Sequence, residues 1–91
     1  MLESTILVVN RLGLHARAAA QLVRLASRFQ SGVTLFRADG NVFANAKSIL
    51  SVLALAAGNG TELAIRVEGE DEDAALKEIE NLFANGFGES L

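Results

Sequence analysis

Apolar and polar positions recur along this chain with two distinct periods. In residues 4–10 the β-branched side chains Thr5, Ile6, Val8 and Val9 cluster, which predicts a first strand. Asn10-Arg11-Leu12-Gly13 breaks it. Over residues 16–28 the period lengthens: Ala18, Leu22, Leu25 and Phe29 are spaced by four, three and four, an apolar helix stripe. Arg17, Gln21, Arg24 and Arg28 repeat that spacing one residue earlier and form the polar flank, and Gly32 ends the unit. Residues 33–37 and 42–44 flank Asp39-Gly40, a strong hairpin signal. Asn45 is placed to cap a short helix over 46–53, and Gly58-Asn59-Gly60 reads as a turn. Over 62–68, Leu63, Ile65 and Val67 share one face with charges mostly on the other, a strand with one wet side. The acidic run at 70–73 supplies caps and negative charge for a last helix. Its stripe is Ala75, Leu76, Ile79, Leu82 and Phe83, Asn85-Gly86 is its C-cap, and the final five residues are expected to fray.

The predicted order is β-α-β-β-α-β-α, an α+β fold with one small, mostly antiparallel sheet and its helices on one face. With 91 residues and 9.6 kDa the chain has room for a single domain, 1–91. Apolar residues at 51% and charged ones at 21% exclude a disordered tail or a coiled coil. The longest apolar run, 52–57, is six residues, far below the roughly 20 of a membrane span, so no membrane insertion is expected. Met1-Leu2-Glu3 has no signal-peptide character, and the expectation is a soluble, cytoplasmic protein. The absence of cysteine removes thiol and disulfide chemistry, and a lone histidine argues against a metal site.

The net charge of −3 hides an asymmetry, +4 over residues 1–60 and −7 over 61–91. Four arginines lie between positions 11 and 28, beside the only histidine. Nucleic-acid binding calls for a more basic chain with aromatic stacking groups, whereas here the pI is about 5.0 and all five aromatics are Phe. An anionic ligand or an acidic protein partner fits the basic segment better, although a solvated helix face would look the same.

Reactive residue types concentrate only at Gly13-Leu14-His15-Ala16-Arg17. His15 falls where a loop becomes a helix, and the first helical amides lack intrahelical acceptors and sit at the positive end of the dipole. A phosphate on or beside His15 would meet those donors, Arg17 could fork onto its oxygens, and Gly13 permits a close backbone approach to a ligand or partner. Imidazole is nucleophilic near neutral pH and can hold a group covalently. No carboxylate is near in sequence except Glu3, and no serine, cysteine or second histidine completes a relay. Such a site can accept and donate a group but is too bare to activate one. In most small domains, however, a histidine at a helix start is only a polar cap, and an arginine beside it only a solvated charge.

The segment Gly13-Leu14-His15-Ala16-Arg17-Ala18-Ala19-Ala20 resembles the active-site signature of the HPr family, the histidine phosphocarriers of the bacterial phosphoenolpyruvate-dependent phosphotransferase system. Ala46-Lys47-Ser48-Ile49-Leu50, Gly58-Asn59-Gly60-Thr61 and Val67-Glu68-Gly69-Glu70-Asp71-Glu72 are similar to further segments of that family, in the same order and spacing, so that the likeness covers nearly the whole chain. The resemblance implies the family's open-faced β-sandwich, with four strands and three helices on one face. It implies that His15 takes a phosphoryl group from enzyme I on Nδ1 and gives it to a IIA domain, steadied by Arg17 and the amides of Ala16 and Arg17. It implies a phosphocarrier without substrate turnover of its own; no cofactor is expected, and the chain is expected to be a monomer. The family usually has proline where this chain has Ala18, which puts transfer rate or partner preference in question.

Ser48 matches the regulatory serine of some HPr proteins, which suggests phosphorylation by HPr kinase; the alternative is a serine that only caps a helix. Family partners dock on an apolar patch near the histidine, for which Leu14, Ile49, Leu50, Val52 and Leu53 are candidates, with Arg17, Arg24, Arg28 and Lys47 meeting acidic groups. At least half of those apolar residues must be ordinary core. The ending 81–89 is similar to the nitrogen-regulatory branch of the family, whereas Lys47-Ser48-Ile49-Leu50 is similar to kinase-regulated sugar carriers, so the branch stays open. A non-phosphorylated regulatory binding module controlled through Ser48 is the more distant alternative.

Overall fold

The computed structural model describes residues 1–38 and 42–89. Its elements are β1 (Leu2–Leu7), α1 (Ala16–Ala26), β2 (Gly32–Arg37), β3 (Phe43–Asn45), α2 (Ile49–Ala54), β4 (Glu62–Glu68) and α3 (Glu72–Ala84), followed by a 3₁₀ turn over Gly86–Gly88. The expected α+β order is therefore present, and the Asp39-Gly40 hairpin turn lies outside the described residues. The four strands form one antiparallel sheet in the order β1-β4-β2-β3.

The alternation in β4 dictates the layering. Leu63, Ile65 and Val67 are buried while Glu62, Ala64, Arg66 and Glu68 are exposed, because successive side chains of a strand point to opposite faces. The register sets Leu63 opposite Ile6, Ile65 opposite Leu35 and Val67 opposite Val33, so one face of the sheet is continuously apolar. The helices cover it with Ala18, Ala19, Leu22 and Ala26 of α1, Val52 of α2 and Ala75, Ile79 and Phe83 of α3. Each large side chain buried this way contributes about 1.5–3 kcal/mol. On the open face Arg66 pairs with Glu3 at 2.8 Å and lies 5.2 Å from the centre of the Phe36 ring.

Several boundaries differ from the sequence reading. The first strand runs over Leu2–Leu7 rather than 4–10, because its register is set by β4 and not by its own β-branched cluster. Beyond it Val8 exchanges bonds with the 60–61 turn, and Asn10 turns its side chain inward. The second helix starts at Ile49 under a Ser48 cap, not at 46 under Asn45. Ala46 is still tied to the sheet through Val33, and the Asn45 side chain caps only the Lys47 amide, at 2.9 Å. The tail is not frayed as far as Glu89. Phe87 is buried edge-on against Phe83, with ring centres 4.9 Å apart, and Glu89 is hydrogen-bonded.

Asp71 precedes α3, but its carboxylate does not cap that helix. It reaches across to the α1–β2 turn, accepting from the amides of Gln30 at 2.8 Å and Ser31 at 2.9 Å and from the Ser31 hydroxyl. Those bonds, the Ser31 hydroxyl foremost, hold its carboxyl below the usual carboxylate range. A depressed folded-state pKa gives stability that is complete above the unfolded value, near 3.8, and is lost as pH falls through the lowered one. Denaturant unfolding at stepped pH is therefore expected to show stability declining below about pH 4. Asp71→Asn should be less stable at neutral pH and should lose part of that acid-side slope; an unchanged slope would remove Asp71 from the acid response.

Candidate functional site

The loop from Val8 to His15 is pinned to the segment before β4. Leu14 is buried and donates its amide to Ala57 at 2.8 Å, and Asn59 donates to the carbonyls of Val9 and Asn10. Gly13 has φ +67, and a Cβ there would lie 2.6 Å from the Ala57 carbonyl oxygen and 2.7 Å from Gly58 Cα. The close approach that glycine permits at this position is thus to the chain itself and not to a ligand.

This anchoring delivers His15 to the N-cap of α1 in an extended conformation (φ −73, ψ 180), its carbonyl accepting the first helical bond from Ala19 at 2.8 Å. Its imidazole is partly exposed and has different partners on its two nitrogens. Nδ1 accepts from the Arg17 amide at 3.3 Å, and Nε2 meets the carboxylate of Glu89. An acceptor at Nδ1 and a carboxylate at Nε2 place the proton of the neutral ring on Nε2. The Nδ1 lone pair then faces the first turn of α1, where Ala16 and Arg17 are both exposed. The side chains of Arg11, Leu12, His15, Ala16, Arg17 and Glu89 line one shallow depression.

Glu89 is the residue that sequence reasoning missed. It stands 74 positions from His15. The hydrogen bond from His15, together with that from Asn10 and the charge of Arg17, holds its carboxyl below the usual range. The available signal was Phe87, a lone large apolar residue in a glycine-rich ending.

The other sequence candidates separate into groups. Leu14 and Val52 are core side chains, so neither offers a docking surface: both face the layer between helices and sheet. Ile49, Leu50 and Leu53 are exposed on α2, Leu50 at 77%, and Leu12 joins them at 66%. Arg24 is exposed on α1 and Arg28 in the turn just after it. Lys47 is spent within the chain, its ammonium donating to the Phe29 carbonyl at 2.8 Å beyond the end of α1. Ser48 is half-buried, and its hydroxyl accepts from the Ser51 amide at 3.3 Å as the α2 cap. Among the described residues no helix is long and apolar enough to cross a membrane.

One nucleophilic ring at a helix N-terminus, flanked by an arginine and backed by a carboxylate, is a site that holds a transferable anionic group. The family model of the PTS HPr component phosphorylation site matches residues 2–85. The phosphocarrier protein HPr of Treponema pallidum (strain Nichols) is 53% identical over 89 residues, covering 98% of this chain and 99% of that protein. That of Xylella fastidiosa (strain 9a5c) is 49% identical over 89 residues, 98% of either chain. The crystal structure of HPr-C-His from Thermoanaerobacter tengcongensis superposes with a TM-score of 0.92 at 38% identity, over the full length of both chains. The chain belongs to the HPr family, whose members are phosphocarriers rather than enzymes with substrate turnover.

Because Gly13 combines a left-handed backbone with a clash against main-chain atoms, Gly13→Ala should cost at least about 2 kcal/mol. Chemical denaturation would show this as a lower midpoint with an unchanged slope. A cost below about 0.5 kcal/mol would mean that the 57–58 segment yields easily and does not fix His15.

Proposed function

We propose that this chain accepts a phosphoryl group from phospho-enzyme I on Nδ1 of His15 and passes it to a IIA domain of the phosphotransferase system. The observation that carries this reading is the ring's orientation, with the Nδ1 lone pair toward the start of α1 and Nε2 on Glu89. The lone pair attacks phosphorus in line, and the electron pair of the breaking P–N bond leaves with the donor's nitrogen; donation to the IIA domain runs the same step in reverse. A loose transition state asks for positioning and neutralisation of charge on the equatorial oxygens. The amides of Ala16 and Arg17 and the Arg17 guanidinium supply both. Exposed Leu12, Ile49, Leu50 and Leu53 provide apolar docking contacts, and Arg17, Arg24 and Arg28 steer an acidic partner.

The test is intact-protein mass after incubation with enzyme I, magnesium and phosphoenolpyruvate. One acid-labile phosphoryl group is expected on the wild type and none on His15→Ala; an adduct retained by that variant would overturn the assignment. Running the assay with a sugar-branch and a nitrogen-branch enzyme I identifies the branch by which one charges the chain. Arg17→Ala should still be charged, but about 10- to 100-fold more slowly. An unchanged rate would demote Arg17 to surface charge.

Ser48 is a second modification site on this reading, supported by its place beside exposed Ile49 and Leu50. Aspartate is as good an N-cap as serine, so Ser48→Asp adds charge while keeping α2 capped. It should slow charging by enzyme I, and an unchanged rate would leave Ser48 as a cap alone.

A further inference from the structure

The end of the chain is built to bring a carboxylate to the imidazole. After α3, Gly86, Phe87 and Gly88 all take positive φ, at 65°, 58° and 76°. For a phenylalanine this is an unfavourable conformation, sustained only where surrounding contacts over-determine it. Those contacts are present. Phe87 is buried against Phe83, its carbonyl accepts from the Gln21 side chain at 3.2 Å, and the Asn85 side chain accepts from the Gly88 amide at 3.3 Å. The result turns Glu89 back over the start of α1.

There its carboxylate has two partners. One oxygen meets Nε2 of His15, and the other accepts from the Asn10 amide at 3.3 Å. Asn10 is fully buried, and the same amide nitrogen donates to the Gly13 carbonyl at 2.7 Å. Both acceptors require the NH₂ end of the amide, which fixes how Asn10 is oriented. The carboxylate is thus held by a side chain that is itself locked to the loop carrying His15. The other charged groups at this site are Arg17 on α1 and Arg11 on the preceding loop.

We propose that Glu89 is a positioning residue for phosphoryl transfer, holding the ring proton on Nε2 and offsetting the positive charge that the ring gains when Nδ1 bonds phosphorus. This rests on His15 being the carrier. When the Nδ1 lone pair forms the P–N bond, a ring that keeps its Nε2 proton carries one positive charge, shared between the two nitrogens. The Glu89 carboxylate lies on that proton. On donation the P–N electron pair returns to Nδ1 and the ring leaves as neutral imidazole, a better leaving group than the imidazolate left by a ring that has lost Nε2–H. Glu89 therefore keeps the phosphorylated ring in the form that donates.

The experiment charges the wild type, Glu89→Gln and Glu89→Ala with enzyme I and phosphoenolpyruvate. It then follows the ¹⁵N and ³¹P resonances of the phosphorylated ring against pH. The pH at which Nε2–H is lost should fall by about one unit in both variants, since glutamine keeps an acceptor oxygen but not the charge. Thermal unfolding and amide spectra of the uncharged variants verify that the domain is intact. Charged variants that titrate with the wild type would overturn the proposal while leaving His15 as the carrier. A wild type that takes up no phosphoryl group, or takes one that survives in His15→Ala, would remove the carrier reading and this proposal with it.

Discussion

The structure depends on β4 lying between β1 and β2. A strand from the last third of the chain is hydrogen-bonded on one side to the first strand and on the other to the second, so apart from the local β2–β3 pairing the sheet does not close until most of the chain is in place. Each ladder is six residue pairs long, and each sets an apolar residue of β4 against one on its neighbour. The cost is loop-closure entropy paid before the contacts form. The gain is that the segments leaving β1 and entering β4 become neighbours, and the loop that carries His15 is built on that adjacency. Val8, Asn10, Gly13 and Leu14 all bond to or pack on residues 57–61.

A phosphoryl carrier has to accept a group and release it with similar ease, which limits how much stabilisation its site can supply. Amides at a helix terminus and one exposed arginine suit that need, because solvent moderates both. On the proposed reading Glu89 adds to this balance in a particular way, since it meets Nε2 and not the nitrogen that takes the phosphoryl group. A group at Nε2 adjusts how the ring behaves as nucleophile and leaving group without obstructing the partner that approaches Nδ1. Ala18 belongs to the same balance. It is fully buried in the first turn, where proline would restrict the unfolded chain and where alanine keeps the helix while giving up that restriction.

What could be read in the sequence follows the range of the interactions. β4 was read to the residue because strict alternation at 62–68 has no competing interpretation. The stripes of α1 and α3 emerged for the same reason, with Ala18, Leu22, Ile79 and Phe83 all buried. The start of α2 was misplaced because Asn45 and Ser48 are both good caps, and the choice between them is made by Ala46 staying paired with β2. His15 and Arg17 stood out because their chemistry is local, one turn of one helix. Glu89 did not, because it reaches His15 only through a folded tail whose geometry depends on Phe87 finding a place beside Phe83. Leu14 and Val52 show the same limit from the other side, since an apolar residue beside an active site looks alike in sequence whether it faces a partner or the core.

The charge asymmetry of the chain takes on meaning once the fold is known. The basic first part contributes α1 and its approach loop, while the acidic last part contributes α3 and the tail. Several of the acidic residues cross back onto the first part as partners of its donors, and Asp71 and Glu89 among them do different work. Asp71 takes the amides of Gln30 and Ser31 and fastens the α1–β2 turn to the start of α3. Glu89 takes Asn10 and His15 and fastens the tail to the N-terminal end of α1. Carboxylates from the C-terminal part thus hold the N-cap of α1 and the turn that follows the helix, while Arg17 and Arg24 on α1 and Arg28 just beyond it are turned toward solvent. On the proposed function, this row of arginines, with the imidazole at its N-terminal end, is the face that an acidic partner would meet.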